Sequence, residues 1–175
     1  MTDRKKKAAA ILSFFTPSLI VIAVVFILFR VLFGLCFVPT ASMEPTLPKK
    51  SLSFIVRTPL LVHSLERGDI VVFQPSPENS DVVVDDSPTL VKRIVGLAGD
   101  TVEIKDGTTY VNGQEYQEPW LAETPEKLNF GPYQVEDGKI FVLGDNRNHS
   151  VDSRYWIDPY VDVSSVLGKI VYVIK

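Results

Sequence analysis

The sequence is poor in the residue types that most often bind metals or form covalent cross-links. Among its 175 residues there is one cysteine, Cys36, and there are two histidines, His63 and His149. A single cysteine excludes a disulfide within the chain. Three scattered Cys and His residues also give no cluster of metal ligands, so we expect no bound metal.

Basic residues become scarce after the N-terminal part of the chain. Five of the 18 basic residues, but only one of the 21 acidic residues, lie before residue 31, so the remainder carries a formal net charge of −7. An acidic surface repels phosphate backbones. We therefore expect no nucleic-acid partner.

The N-terminal part has the pattern of a membrane anchor. Four basic residues at positions 4–7 precede an uncharged run of 22 residues, Ala8–Phe29, which Arg30 closes. As a helix, this run spans about 33 Å, close to the thickness of a hydrocarbon core. The basic cluster predicts that the N-terminus stays in the cytoplasm. The predicted segments are a cytoplasmic N-terminus at 1–7, a transmembrane helix at 8–30 and an exported domain at 31–175.

Two other interpretations of the anchor are open. Thr16 and Pro17 fit a helix cap and a first helical position, which would shift the helix toward Val38 and place Arg30 inside it at a cost. We favour the earlier start, which leaves Val31–Val38 at the outer interface. A cleaved signal peptide is the second alternative, but the apolar run is too long for one and no clear small-x-small cleavage site follows it.

Beyond residue 50 there is no long segment with helical periodicity, and short β-rich segments alternate with turn residues. Asp106-Gly107 predicts a hairpin turn, and Asn112-Gly113 predicts a second turn. The predicted strands are Ser51–Arg57, Ile70–Phe73, Leu90–Val95, Thr101–Lys105, Thr108–Val111, Ile140–Leu143 and Lys169–Ile174.

Two stretches that each contain three prolines interrupt this pattern. We interpret Gln74–Pro88 as a surface loop and Glu115–Glu136 as irregular. The predicted fold is all-β, with coiled antiparallel sheets and a small inserted lobe at about 105–139.

The candidate nucleophile is Ser42, which lies between Pro39 and Pro45 a few residues beyond the apolar run. The prolines restrict the local chain, which suits a nucleophile held in one pose and equally suits an ordered linker. A serine hydroxyl is a poor nucleophile until a base removes its proton. Lys92 is the candidate base, because burial among its apolar neighbours would lower its pKa from about 10.4. The alternative is an ordinary strand lysine that faces water, with Arg93 on the opposite face.

A dense polar cluster, Gly144–Arg154, follows the strand predicted at Ile140–Leu143. Its acidic and basic residues fit a partly buried network of ion pairs, which would hold neighbouring groups in place. A polar loop is the alternative. The candidate members of the network are Asp145, Arg147, Asp152 and Arg154.

Histidine is the usual base for a serine nucleophile, so a second assignment is open. His149 lies near Asp152 in the sequence, and a Ser42–His149–Asp152 triad fits because triads are recognised by geometry rather than by chain order. His63 has no other catalytic residue near it in the sequence. Lys92 is the base that we favour.

Four sequence boxes behind the N-terminal anchor resemble those of type I signal peptidases, the membrane-bound Ser/Lys leader peptidases. Any single box is modest support, but four boxes in this order are specific. The resemblance covers nearly the whole chain after the anchor, and its sheets would be those shared with the self-cleaving SOS repressors. The boxes are Ser42–Leu47, Gly68–Phe73, Lys92–Asp100 and Gly144–Arg154.

The resemblance implies a role for each matched residue. Ser42 is implied to be the nucleophile and Lys92 the general base, with Ser150 bonded to the lysine amine. The oxyanion hole would combine the Ser42 backbone N–H with the hydroxyl of Thr40, a position where serine is common in the family. No metal or organic cofactor is implied. The implied supporting residues are Arg93, Asp145, Arg147, Asp152 and Arg154.

The implied function is removal of N-terminal signal peptides from exported preproteins, by cleavage after small residues at −1 and −3. The implied partners are preprotein signal peptides and the lipid bilayer. The expected location is the cell membrane, crossed once with the catalytic domain on the exported side; a thylakoid or other organellar membrane is an alternative. A self-cleaving SOS repressor would need a DNA-binding domain, and a non-enzymatic anchored β domain would leave the four boxes unexplained.

Overall fold

A computed structural model of the chain describes residues 3–57, 65–82 and 89–174. Helix α1 spans Asp3–Leu32 and contains Pro17 in its interior. The alternative interpretation, in which the helix begins at Pro17, is therefore wrong. Its part from Phe14 to Leu32 is long and apolar enough to cross a membrane, and none of that part is buried. How the chain sits in a membrane stays a prediction.

Most strands belong to one large sheet in which each strand pairs antiparallel with its neighbours. Its strands are β1 (Phe33–Val38), β2 (Ser51–Arg57), β3 (Ile70–Phe73), β4 (Leu90–Gly96), β9 (Lys139–Leu143), β10 (Val161–Asp162) and β11 (Val166–Ile174). The spatial order is β1-β2-β11-β3-β4-β9-β10. The predicted fold class, all-β with curled antiparallel sheets, is therefore confirmed.

The chain segment that connects β4 to β9 forms a smaller antiparallel sheet. Its strands are β5 (Thr101–Lys105), β6 (Thr108–Val111), β7 (Gln114–Glu115) and β8 (Phe130–Gln134), in the order β7-β6-β5-β8. The turn between β5 and β6 has positive φ at Asp106 (48°) and Gly107 (82°), as a tight hairpin turn requires. The turn at Asn112 and Gly113 has φ of 53° and 76°. Both predicted turns are confirmed.

All seven predicted strands are present, but the sequence missed others. β1 was missed because its residues continue the apolar composition of the helix. The interpretation of Glu115–Glu136 as irregular is wrong at its two ends, which hold part of β7 and all of β8. β8 contains Gly131 and Pro132, two residue types that are depleted in strands and hide its pattern. Within Gln74–Pro88 a short 3-10 helix spans Pro77–Val82, and positions 83–88 lie outside the described residues.

Three apolar clusters form the core, and one of them lies beneath Ser42. Val38, Met43, Leu47 and Ile70 pack together there, and the side chains of Met43 and Leu47 have no exposed surface. A second cluster joins the two sheets through residues of β4, β5, β6 and β9. The third cluster packs around Phe73 and Trp156. The smaller sheet is thus packed against the strand that carries Lys92.

Candidate active site

The turn between β1 and β2 carries Ser42 and is held from below by buried side chains. The side chains of Met43 and Leu47 are fully buried in the core. The N–H of Glu44 donates to the carbonyl of Ala41 at 3.1 Å, and the N–H of Leu47 donates to that of Met43 at 2.9 Å. The Ser42 side chain itself is half-buried.

Lys92 approaches Ser42 from β4, where its Cα pairs with that of Val71 on β3. Only 4% of Lys92 is exposed, so the alternative of a strand lysine that faces water is wrong. The Lys92 Nζ donates a hydrogen bond of 2.8 Å to the Ser42 Oγ. The two residues named from the sequence are therefore in direct contact.

The electrostatic environment of Lys92 favours the neutral amine. Burial lowers the pKa of Lys92 to about 8, against the opposing influence of the Asp152 and Asp145 carboxylates, while Arg154 adds to the lowering. At pH 8, about half of the amine groups are then neutral, against well under ~1% for a free lysine. A neutral amine is able to accept the serine proton.

A second hydroxyl lies beside the Ser42 side chain. The Thr40 Oγ1 is 3.2 Å from the Ser42 Oγ, and either oxygen is able to donate that hydrogen bond. Thr40 is half-buried. The structure thus places the Thr40 hydroxyl next to the Ser42 oxygen.

The loop after β9 closes over the backbone of the Ser42 turn. The N–H of Asn146 donates to the Ser42 carbonyl at 3.1 Å, and its side-chain Nδ2 donates to the Ala41 carbonyl at 3.1 Å. A Cβ on Gly144 would lie 2.6 Å from the Ser42 carbonyl oxygen, so this close approach requires glycine. Asn146 was given no role from the sequence, because a contact between backbones 104 residues apart leaves no local pattern.

Two buried ion pairs hold the neighbouring strands and loops. Arg93 donates to both carboxylate oxygens of Asp145, at 2.8 and 2.6 Å. Arg154 donates to both oxygens of Asp152, at 2.8 and 2.9 Å, and the N–H of Gly144 donates to one of them at 2.9 Å. Burial alone would raise the pKa of Asp152, but these donors lower it overall. Asp152 therefore carries a fixed negative charge close to Lys92.

Arg147 is paired with a residue that the sequence did not single out. Its guanidinium forms an ion pair with Glu118, and the two side chains are 2% and 6% exposed. It also donates to the Thr109 hydroxyl and to the Gly144 carbonyl, both at 3.0 Å. Nothing in the sequence around Glu118 separates it from the exposed acidic residues of the same stretch.

Ser150 does not make the contact that the resemblance implies. Its hydroxyl is buried and has no hydrogen-bond partner among the described residues. The Lys92 amine donates its hydrogen bond to Ser42 instead. The bond between Ser150 and Lys92 is thus not formed in this structure, and a role for Ser150 stays a prediction.

The Ser42–His149–Asp152 triad is not assembled. The His149 side chain is exposed, and within the described part of the chain it makes no hydrogen bond to Ser42 or Asp152. The Asp152 carboxylate is occupied by Arg154 and Gly144. His63 lies outside the described residues. Among the residues of 3–57, 65–82 and 89–174, no group of three or more His, Cys, Asp or Glu side chains is arranged to hold a metal ion.

A comparison with protein families matches residues 11–175 to the family described as "Signal peptidase, peptidase S26". This match covers nearly the whole chain, including both residues of the hydrogen-bonded pair. The chain therefore belongs to the signal peptidase family, a family of peptidases.

Individual relatives agree with this membership, and one solved structure is also similar to the chain. "Signal peptidase I" of Bacillus licheniformis is 38% identical over 165 residues, which cover 88% of this chain and 84% of the relative. "Probable signal peptidase I-2" of Synechocystis sp. is 39% identical over 133 residues, covering 76% of this chain but 59% of the relative. The crystal structure of a signal peptidase I from Enterococcus faecalis is 32% identical and covers 62% of this chain and 97% of that chain, with a TM-score of 0.49.

Proposed function

We propose that this chain removes N-terminal signal peptides from exported preproteins, with Ser42 as the nucleophile and Lys92 as the general base. Membership of the signal peptidase family supports the substrate class. The observation that best supports the two roles is the 2.8 Å hydrogen bond from the buried Lys92 amine to the Ser42 hydroxyl. A base must lie within hydrogen-bond reach of the proton that it removes.

In the first half of the reaction the neutral Lys92 amine takes the proton of Ser42 as the Oγ attacks the substrate carbonyl carbon. The carbonyl oxygen becomes an oxyanion, and the lysine becomes an ammonium ion. When the tetrahedral intermediate collapses, the C–N bond breaks and Lys92 donates its proton to the leaving amine. The products of this half are a free mature N-terminus and a signal peptide esterified to Ser42.

In the second half a water molecule replaces the leaving amine. Lys92, neutral again, removes a proton from the water as its oxygen attacks the ester carbon. Collapse of this intermediate returns the proton to the Ser42 Oγ and releases the signal peptide with a free carboxylate. The depressed pKa of Lys92, about 8, suits both steps because the same group must accept and release a proton.

The oxyanion requires donors that are in place before charge develops. We assign this role to the Ser42 backbone N–H and the Thr40 hydroxyl, whose Oγ1 lies 3.2 Å from the Ser42 Oγ. The developing oxyanion is bonded to the carbon that the Ser42 Oγ attacks, so it forms next to Thr40. Such preorganised donors act on the transition state rather than on substrate binding.

The proposed substrate enters from a membrane. The apolar part of α1, Phe14–Leu32, leads directly into β1, and Ser42 follows the end of the helix by ten residues. We propose that α1 anchors the chain with its N-terminus in the cytoplasm and that cleavage follows small residues at −1 and −3. The host membrane is a cell membrane or an organellar membrane such as the thylakoid.

The test is cleavage of a preprotein with an Ala-x-Ala site by the full chain purified in detergent, with the new N-terminus sequenced. We expect one cut directly after the second alanine. Ser42→Ala should abolish the cut, whereas Ser164→Ala, a change at an exposed serine on the short 3-10 helix before β11, should leave it intact. No cleavage by the wild type, or turnover by Ser42→Ala, would refute the proposal.

A further inference from the structure

The segment that leaves the smaller sheet after β7 folds back onto two arginines of the active site. Its residue Glu118 pairs with Arg147, and the ring of Trp120 lies over the guanidinium of Arg93 at 4.2 Å from centroid to Cζ. From this geometry we propose that Glu118 and Trp120 are positioning residues for Ser42 and Lys92. The inference rests on the function proposed above and assigns to the segment between β7 and β8 a part in positioning the catalytic residues.

The first connection runs from Glu118 through the loop after β9. The Glu118–Arg147 pair is buried, so its charges are shielded from water and their mutual orientation is fixed. Arg147 directly follows Asn146, which holds the carbonyls of Ser42 and Ala41. A movement of Arg147 is therefore transmitted to the backbone of the nucleophile.

The second connection runs from Trp120 through β4. Trp120 covers the face of the Arg93 guanidinium, while the edge of that group binds both oxygens of Asp145. Asp145 in turn accepts a 2.5 Å hydrogen bond from Thr46, in the same turn as Ser42. Arg93 is also the chain neighbour of Lys92. The Trp120 ring thus restrains Arg93, which is linked through Asp145 to the Ser42 turn and is the chain neighbour of Lys92.

Neither contact is explained well by stability alone. A buried ion pair often adds no more stability than apolar residues of the same volume. The indole N–H of Trp120 is buried and has no hydrogen-bond partner among the described residues, which is a cost. Both contacts, however, lead to the Ser42 turn through consecutive residues of the loop after β9, Asp145, Asn146 and Arg147. Since a displacement of about 1 Å lowers a rate by about 100-fold, restraint of this turn has catalytic value.

The experiment measures kcat and KM for the full chain in detergent, per folded molecule and well below the unfolding temperature. Glu118→Gln and Trp120→Leu each remove one connection. Each should lower kcat about 10- to 100-fold with KM within about twofold of wild type, because the reacting groups and not the substrate contacts are displaced. Trp120→Phe keeps an aromatic face and should recover most of the rate, and Glu118→Asp should recover part of it.

The matched control is Gln117→Ala, in the same segment. The Gln117 side chain is exposed and bonds to Glu115, away from both arginines. It should keep wild-type kcat. A purely structural role for the segment would lower the melting temperature of the Glu118 and Trp120 variants while leaving the kcat of the folded enzyme unchanged, and this result would overturn the proposal.

Two further outcomes keep the positioning role separate from the proposed function. If Glu118→Gln does not fold, Trp120→Leu decides, because that change leaves no buried charge unpaired; wild-type kcat for Trp120→Leu would then overturn the proposal. If the wild type cleaves and Ser42→Ala does not, the proposed function stands whatever the positioning variants do. A wild type without cleavage would overturn both.

Discussion

Lys92 and Ser42 are 50 residues apart in the chain, and the hydrogen bond between their side chains is 2.8 Å long. The contact forms because β4 lies beside β3 in the interior of the large sheet, while the turn after β1 is anchored by Met43 and Leu47. The lysine reaches the serine from the buried side of the site. Its amine is therefore removed from water at the point where a base is needed.

Replacing Lys92 by arginine should remove activity as fully as replacing it by alanine. Arginine keeps the positive charge but is not deprotonated in a protein, so it is unable to take the Ser42 proton. His149→Ala is the control and should retain activity, since the His149 side chain is exposed and makes no hydrogen bond to Ser42. Preprotein cleavage by the three purified variants checks this. An active Lys92→Arg variant together with an inactive His149→Ala variant would contradict Lys92 as the base and support the Ser42–His149–Asp152 triad.

The burial of Lys92 should also be visible in the stability of the protein. Its pKa in the folded state, about 8, lies below that of an unfolded chain, so the charged amine opposes folding at all pH values below about 8. This cost disappears as the pH rises from about 8 to about 10.4, where the amine is neutral in both states. Lys92→Met should therefore raise the free energy of unfolding at pH 7, by up to about 3 kcal/mol, and not at pH 10.5.

Denaturant unfolding in detergent at the two pH values, followed by tryptophan fluorescence, measures this difference. The control is Lys105→Met, which replaces a lysine with 59% of its side chain exposed. It should show no such gain. Equal stability of Lys92→Met and wild type at pH 7 would mean that the amine is not desolvated in the folded protein.

The variant Ser150→Ala should lose activity without losing stability. Its buried hydroxyl has no hydrogen-bond partner among the described residues, so Ser150→Ala breaks no hydrogen bond and should leave stability unchanged or higher. The resemblance to signal peptidases implies that this hydroxyl bonds to Lys92; if that bond forms during the reaction, kcat should fall at least about tenfold. Thermal unfolding and steady-state kinetics on one preparation check both. Unchanged kcat would remove Ser150 from the site.

The sequence predicted the two central residues and the arginines and aspartates around them, but it missed Asn146 and Glu118. Ser42 and Lys92 carry recognisable reactive groups within local sequence patterns. Asn146 and Glu118 act through contacts that span 104 and 29 residues, which no local pattern reports. Strands with apolar alternation were predicted closely, whereas β8 was hidden by its glycine and proline.

The orientation in the membrane is open to a direct test. The basic residues before Ala8 should keep the N-terminus in the cytoplasm and place the β domain outside. Protease added to intact cells or right-side-out vesicles should therefore digest the chain after residue 50. Reversing the charges at positions 4–7 to glutamate should reduce this digestion. If the wild-type chain is fully protected from the protease until the membrane is opened, the β domain lies on the cytoplasmic side and the proposed topology is wrong.

Thr40 offers the sharpest test of the oxyanion assignment. Its Oγ1 lies 3.2 Å from the Ser42 Oγ, next to the position where the oxyanion develops. Thr40→Val keeps the shape and the β-branch but removes the donor. It should lower kcat by about 10²–10³-fold with little change in KM, because the lost hydrogen bond acts on the transition state.

Thr40→Ser is the matched control for this change. Serine keeps the hydroxyl, so the variant should stay active, with a modest loss because serine is less restricted at χ1 than threonine. If Thr40 only packs beside Pro39, the order reverses: Thr40→Val is then nearly silent, and Thr40→Ser, which loses a methyl group, is the more harmful change. Kinetics of both variants on one preprotein, with folding checked by circular dichroism, decides between the two. A Thr40→Val enzyme with a kcat within a few-fold of wild type would show that backbone donors alone stabilise the oxyanion.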